Sequence, residues 1–305
     1  MILKNMKEIS GKFLFLFLLC SQVLLTGGKT SFNFLTIGVD AKVVSLADAG
    51  VALFPDIGTI YYNPAGLSLY NKSSFILTYR NWLIDGKFVY LSTSIPIKNL
   101  NLAISLTSLS ISDIEIRTMP GEVQGKFTAR DLSFALSISP KWRSNLKTGF
   151  TAKYIFEKIF IDEIHYFTFD VGVLYPSKIS DFNLCAGISL KDIAFRSKYR
   201  NSTINPPSTL SIGASISYST SSIEPFLVFE GKHKFYEGIN LFSTAIGFKF
   251  LTGFMINLGF ISGGNINNLR FGAGVEVKNF AVQYAFAPHE FNFPTSHIVT
   301  IKLNF

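Results

Sequence analysis

Beyond residue 70, large apolar residues alternate with small or polar ones through nearly the whole chain, and this pattern narrows the fold more than any other feature. Successive side chains of a β-strand point to opposite faces, so a period of two gives each strand one apolar and one small or polar face. In Leu100-Asn101-Leu102-Ala103-Ile104-Ser105-Leu106-Thr107 every even position is a large aliphatic. Residues 132–138 set Leu, Phe, Leu and Ile against Ser133, Ala135 and Ser137. Residues 210–218 place Ser211, Gly213, Ser215 and Ser217 on one face, and 242–250, 254–260, 269–277 and 280–286 follow suit. The pattern predicts about fourteen strands, at 74–80, 87–95, 100–109, 128–139, 146–156, 165–175, 182–190, 208–218, 223–231, 241–250, 254–261, 268–277, 280–287 and 297–305.

A soluble β-sandwich also alternates, with its apolar faces turned inward. Three features favour an all-β transmembrane antiparallel barrel instead. The apolar faces are rich in Phe, of which the chain has 31, and the opposite face is small as well as polar. The even-numbered connections are short and the others longer, notably 110–127, 191–207 and 288–296, as in barrels with short periplasmic turns and longer external loops. Hydrocarbon offers no water to unpaired backbone groups, so such a sheet must close on itself. The last segment suits closure, with His297, Val299, Ile301, Leu303 and Phe305 on one face. A terminal Phe305 after an alternating strand resembles the signal by which barrel-assembly machinery recognises its clients. Trp82 and Trp142 suit the two interfacial girdles.

Composition agrees. Hydrophobic residues make up 48% and charged residues 16%, yet past residue 30 no apolar run approaches the roughly 20 residues of a membrane helix. At the N-terminus, Lys4, Lys7 and Lys12 precede an apolar stretch at 13–25 followed by Thr26, Gly27 and Gly28, which reads as a cleaved signal peptide over 1–28. Such a leader sends the barrel (71–305) to the bacterial outer membrane. The formal charge of +8 then points to outer-membrane lipid phosphates as partners, and away from nucleic acid. After cleavage one cysteine remains, Cys185, so no internal disulfide is expected.

Residues 36–70, within a segment before the barrel at 29–70, do not alternate. Asp40 can cap a helix that begins at Ala41 and ends near Gly50, and Asn63-Pro64-Ala65-Gly66 is turn chemistry. Two readings stand, a helix packed beneath the barrel or a hatch folded inside its lumen. The small inward-facing residues leave room for the hatch.

The stretch from Gly38-Val39-Asp40-Ala41 through Ala47-Asp48-Ala49-Gly50-Val51-Ala52 to Tyr61-Tyr62-Asn63-Pro64-Ala65-Gly66-Leu67 resembles the N-terminal signature of the PorV/PorQ family, within the FadL-like outer-membrane barrels. The resemblance covers about thirty residues and implies a fourteen-stranded barrel with an N-terminal hatch, which would include Asp40, Asp48, Asn63, Pro64, Ala65 and Gly66. Where relatives usually carry an acidic pair, this chain has Pro55 and a single Asp56. Two functions follow from the resemblance. One is handling of exported proteins in secretion, and the other is FadL-like uptake of a hydrophobic small molecule. A structural envelope role is a third.

No enzyme chemistry is legible. His165, His233, His289 and His297 show no metal-ligand spacing, no Ser–His arrangement stands out, and no cofactor is expected. Gly263-Gly264-Asn265 reads as a tight loop tip. The charges that alternation assigns to the lumen are Asp131, Lys147, Lys153, Asp170, Lys249, Arg270, Glu276 and Lys302. They could form ladders that brace the wall, hold the hatch, or line a solute path. Lys191, Arg196, Lys198 and Arg200 make the fourth outer loop basic.

Overall fold

Every strand predicted from alternation is present, and the fourteen pair side by side into one closed antiparallel barrel. The computed structural model describes residues 30–305 apart from 55, 84, 118–121, 196, 200–201, 265 and 289–293. The signal peptide, Pro55, Arg196, Arg200, Asn265 and His289 thus lie outside the described residues. The strands are β1 (Ser74–Trp82), β2 (Gly86–Pro96), β3 (Leu100–Ile116), β4 (Gly125–Pro140), β5 (Lys147–Ile159), β6 (Asp162–Ile179) and β7 (Phe182–Ile193). A small hairpin, β8 (Ser197–Tyr199) and β9 (Ser202–Ile204), follows outside the barrel sheet. The wall resumes with β10 (Thr209–Tyr218), β11 (Ile223–Lys234), β12 (Ile239–Phe250), β13 (Phe254–Gly263), β14 (Ile266–Val277), β15 (Phe280–Ala287) and β16 (Ser296–Asn304).

Closure is made by β1 and β16, in register from Ser74↔Asn304 to Arg80↔Ile298. The outward face carries Ile104, Phe134, Leu136, Phe167, Ile188, Phe229 and Phe260, all exposed, as an apolar belt around the wall. The inward face carries Ser92, Ser105, Ser133, Ser137, Thr151, Ser189, Ser215 and Ser243, all buried. A sheet with an apolar outside, a polar inside and no free edge is built to cross hydrocarbon. The short connections and both ends of the barrel lie at one end of the cylinder, the turn end. The longest connections, at 117–124, 194–208 and 288–295, lie at the other, the loop end.

The loops expected at 110–127 and at 157–164 are partly strand, the second shrinking to residues 160–161. The connection predicted at 110–127 shrinks because β3 runs on to Ile116 and β4 starts at Gly125, past a bulge between Ile111 and Ile114. Asp113 at that bulge takes φ 61, and the bulge breaks the period of two that alternation relies on. At 17, 16 and 18 residues, β3, β4 and β6 far exceed the roughly 9–11 needed to cross a bilayer. The wall is therefore taller on this side than at β15, which has 8 residues.

Residues 30–73 run down the lumen. At the loop end the Ser31 amide donates to the Asn205 carbonyl (2.7 Å), and at the turn end the Tyr70 hydroxyl donates to Asn304 (2.7 Å). Between them lie helix α1 (Ala41–Ser45) and single-turn helices at Asn33–Thr36, Ile57–Tyr61 and Pro64–Leu69. The segment is a hatch inside the barrel, not a helix beneath it. Its helix is shorter than predicted, because Ala47 and Asp48 take left-handed φ values of 58 and 59 and turn the chain well before Gly50. Trp82, expected in a membrane girdle, instead continues the inner face of β1 with the Arg80 guanidinium 4.5 Å from its ring. Trp142 is exposed at the turn end, as predicted.

Ile104 sits mid-strand on the apolar belt. Ile104→Lys is expected to cost about 2–4 kcal/mol in a refolding titration into lipid vesicles, because the ammonium meets hydrocarbon. Wild-type stability for that variant would mean that the belt is placed wrongly.

Candidate functional site

The hatch touches the wall where the wall has no side chains. Gly149 and Gly172 are direct cross-strand partners, as are Gly187 and Gly213. A Cβ on Gly149 would stand 2.2 Å from the Pro64 carbonyl carbon, and one on Gly172 would stand 2.0 Å from Asn63 Oδ1. At Gly187 the obstacle is the Val51 carbonyl oxygen, at 2.4 Å. Across the lumen, Gly259 and Gly272 make the same room for Ala47 and Ser45. The small inner face read from the sequence is thus a seat for hatch backbone.

Asn63-Pro64-Ala65-Gly66 docks there. The Asn63 side chain caps the helix that follows, accepting from the Ala65 amide (3.0 Å), and Pro64 occupies its first turn where no amide proton is needed. The Asn63 amide group donates to the carbonyls of Val51 (2.8 Å) and Val173 (3.1 Å), so one residue ties hatch to hatch and hatch to wall. Ala65 is fully buried and the Gly66 amide donates to the Asn63 carbonyl (3.1 Å).

Three hatch carboxylates meet wall cations. Asp40 caps α1 through the Lys42 amide (3.1 Å) and accepts from the Lys302 ammonium (2.8 Å). Lys302 also binds Asp56 (3.0 Å), which Lys42 reaches from the other side (3.2 Å). Asp48 pairs with Arg270. The Val51 amide donates to Glu230 (2.8 Å), whose neighbour Lys232 reaches the Asp48 carbonyl, and Arg80 donates to the Gly38 carbonyl (3.3 Å). Burial pushes the Asp48 carboxyl up, but Arg270 and then Lys232 outweigh it and hold the group below its usual 3.8. A second cluster lies within the wall, where the Lys153 ammonium sits between Asp170 (2.7 Å) and Asp192 (2.6 Å). A bulge in β7 with Asp192 at φ 55 turns Asp192 inward beside Lys191, which already shares the inward parity of Gly187 and Ser189. Lys191 Nζ then lies 3.8 Å over the Tyr61 ring.

Four of the eight predicted lumen charges therefore belong to these clusters, namely Lys153, Asp170, Arg270 and Lys302. Lys249 and Glu276 pair with each other (2.8 Å) near the turn end, where they brace the wall and help line a cavity of about 290 Å³ beneath Asp56 and Tyr70. Asp131 faces Glu157 on the inner face, in one cross-strand row with Phe88, Leu109 and Ile164. Lys147 is a correction. It caps the turn by donating to the carbonyls of Trp142 and Ser144 (both 2.9 Å), because its strand begins at the rim. Lys191 is another, since β7 runs on through it and the inward parity it shares with Ser189 places it inside the barrel and not in a basic outer loop. Sequence reasoning passed over Arg80, Glu230 and Lys232, all of which share parity with inward Thr78 and Val228. Phe305 is exposed, its amide donating to the Ser73 carbonyl (2.8 Å).

Toward the loop end the polarity of the tall wall inverts. On the inner face, Ser92 gives way to Tyr90 and Phe88, and Thr107 to Leu109, Ile111, Ile114 and Ile116. Phe127 on β4, Ile155 and Ile159 on β5, and Tyr166 and Ile164 on β6 continue the lining. On the outer face Ser108, Ser110, Arg130, Lys158 and Glu163 replace the belt, and Lys158 and Glu163 pair. Phe32, Phe34 and Leu35 of the hatch close the bottom of this apolar mouth, with the Phe32 and Tyr166 rings 5.4 Å apart. Among the described residues no group of three or more His, Cys, Asp or Glu could hold a metal ion.

No family model matches the sequence, and no curated protein matches it. Solved structures do match in fold. The toluene transporter TodX of Pseudomonas putida superposes with TM-score 0.57 at 10% identity, over 88% of this chain and 97% of that one. The monoaromatic hydrocarbon channel CymD gives 0.56 at 10% identity, over 90% and 99%. A FadL homologue from Pseudomonas aeruginosa gives 0.53 at 10% identity, over 88% and 98%. At such identities the likeness is one of fold.

Lys302→Met leaves Asp40 and Asp56 buried without their shared cation, a loss of about 3–5 kcal/mol. Hydrogen exchange should rise across residues 40–56 and stay unchanged in β5 to β7. For Asp48 the sign follows from its depressed pKa. The Asp48–Arg270 contribution is complete above about pH 3.8 and disappears as pH falls through the lower folded-state value. Exchange at residues 46–49, corrected for intrinsic rate, should therefore rise as pH falls below that point.

Proposed function

We propose that this protein is an outer-membrane channel that admits small apolar molecules, with the lumenal hatch as its gate. The observation that carries the reading is the inverted mouth. Above the membrane belt, the inner face of β2 to β6 is mostly apolar, broken by the carboxylates Asp131 and Glu157, where a water-filled pore would be polar throughout. Apolar solutes gain about 25 cal/mol per Å² of surface buried there, which concentrates them against Phe32, Phe34 and Leu35. Passage then requires the hatch to yield at its ion pairs. TodX and CymD, named for aromatic hydrocarbons, share the fold and support this choice of cargo.

In this reading the chain reaches the outer membrane after removal of residues 1–28, and barrel-assembly machinery inserts it by recognising the strand that ends in Phe305. The loop end faces outward, and no enzymatic step is needed. A second reading, the PorV/PorQ-like handling of exported proteins, is supported by the hatch stretch from Gly38 to Leu67. The tall β3–β6 wall, with its polar outer face, gives a protein partner a surface to meet.

Uptake of radiolabelled toluene by cells carrying the barrel tests the first reading. Ile114→Asp or Phe127→Asp, each partly accessible in the mouth, should lower uptake roughly tenfold, the loss expected for one large apolar contact. Uptake equal to wild type would sink the channel reading. Deleting residues 36–66 and recording single-channel currents in planar bilayers tests the gate separately. The deletion should open an ion-conducting pore, and unchanged conductance would mean that the segment does not block the lumen.

A further inference from the structure

The belt is not uniformly covered. Across β6, β7, β10, β11 and β12 the register sets Tyr175, Ala186, Ala214, Phe229 and Thr244 in one outward row. The next row reads Val173, Ile188, Ile212, Gly231 and Phe242. Two alanines between Tyr175 and Phe229, three strand spacings apart, leave a trough on the outside of the wall. Behind its floor lie Gly187 and Gly213, so this stretch of wall is thin. The trough encloses about 740 Å³, is lined almost wholly by apolar groups and ends at Leu146 on the turn side.

Leu146 belongs to the β4–β5 turn, which also carries Lys141, Trp142, Arg143 and Lys147. The Trp142 indole donates to Thr148 (2.8 Å), an outward position of β5, which fixes the ring against the outside of the barrel at the edge of the belt. Tryptophan takes this place where hydrocarbon meets headgroups. Arg143 beside it is exposed, and the neighbouring β6–β7 turn adds exposed Lys178. Across both turns four cations stand against one acid, Asp181. A trough in the hydrocarbon belt therefore opens onto a positive rim at headgroup depth.

We propose that this trough and rim form a specific site for one anionic glycerophospholipid of the turn-end leaflet. Its acyl chain lies over Ala186 and Ala214 between Tyr175 and Phe229, and its phosphate is held by Lys141 and Arg143. Hydrocarbon is the medium that bathes the trough, and the charge of the rim selects the headgroup. The site depends on the barrel crossing a bilayer and not on what passes through the lumen.

Native mass spectrometry of the full barrel in detergent tests this, with phosphatidylglycerol and phosphatidylcholine of equal chain length as the probes. The wild type should retain one phosphatidylglycerol in preference to phosphatidylcholine. Removing two rim charges in K141Q/R143Q should erase roughly thirtyfold of that preference while leaving chain binding intact, given about 1 kcal/mol per basic residue at a membrane surface. Ala214→Phe fills the trough and should remove the adduct of either lipid, with Ala186→Leu as a milder second filling. Heat-modifiable gel mobility confirms that each variant is a folded barrel. Retention of phosphatidylglycerol by both folded trough variants would overturn the site. So would an unchanged preference in K141Q/R143Q, or no wild-type adduct at all.

Discussion

A stretch of backbone can lie against the inside of a barrel only where the wall has no side chain in the way, and its polar groups must then find partners without water. In this protein both conditions are met at the same places. Gly149 and Gly172 let Asn63 and Pro64 come within contact distance of the wall, and the Asn63 amide group then binds the carbonyls it has reached. Gly187 does the same for Val51, whose amide is taken by Glu230. The lumen is consequently filled by polypeptide held at hydrogen-bonding distance, and the other lumenal features are arranged around that seat.

The ion pairs are the clearest instance. Asp40, Asp48 and Asp56 are spaced along the hatch so that each meets a cation from the wall, Lys302 serving two of them and Arg270 the third. A buried ion pair is weak evidence for stability, since desolvation offsets most of its attraction. It does define one position, because a carboxylate displaced by a few ångströms loses its partner inside the protein. The hatch is in this sense indexed as well as packed. The mouth differs in kind. There Phe32, Phe34 and Leu35 meet Tyr166 and its apolar neighbours without directional bonds, so the fit is forgiving where a solute would arrive and exacting where the lumen is blocked.

The wall was legible from the sequence because hydrocarbon enforces alternation strand by strand, as in residues 100–107, with no help from distant contacts. Legibility ended where the period broke. The bulge at Asp113 shifts the frame of β3, which disguised Ile114 and Ile116 as loop and concealed the inverted mouth. β7 runs on past Leu190, so Lys191 kept the inward parity of Ser189 where its neighbours read as a basic loop, and the bulge turned Asp192 in beside it. Ala47 and Asp48 adopt a left-handed conformation usually left to glycine, so Gly50 was the natural place to end the helix. Asp40, Asp48 and Asn63 could be picked out by motif, but their partners Lys302, Arg270 and Val173 lie more than a hundred residues away. Pairings of that range are set by closure of the cylinder, which no local window contains.

The two ends of the hatch are made fast at opposite ends of the lumen, Ser31 to Asn205 at one and Tyr70 to Asn304 at the other. A door turns because one edge is free, and this segment has neither edge free while both bonds hold. It behaves as a cord drawn through a tube and tied at each end. Slack can come only from its own bends, at Ala47–Asp48 and at the capped turns after Asp56 and Asn63. Any opening would accordingly be a local change of path within a lumen that remains threaded, narrow and off-centre, and never a cleared bore.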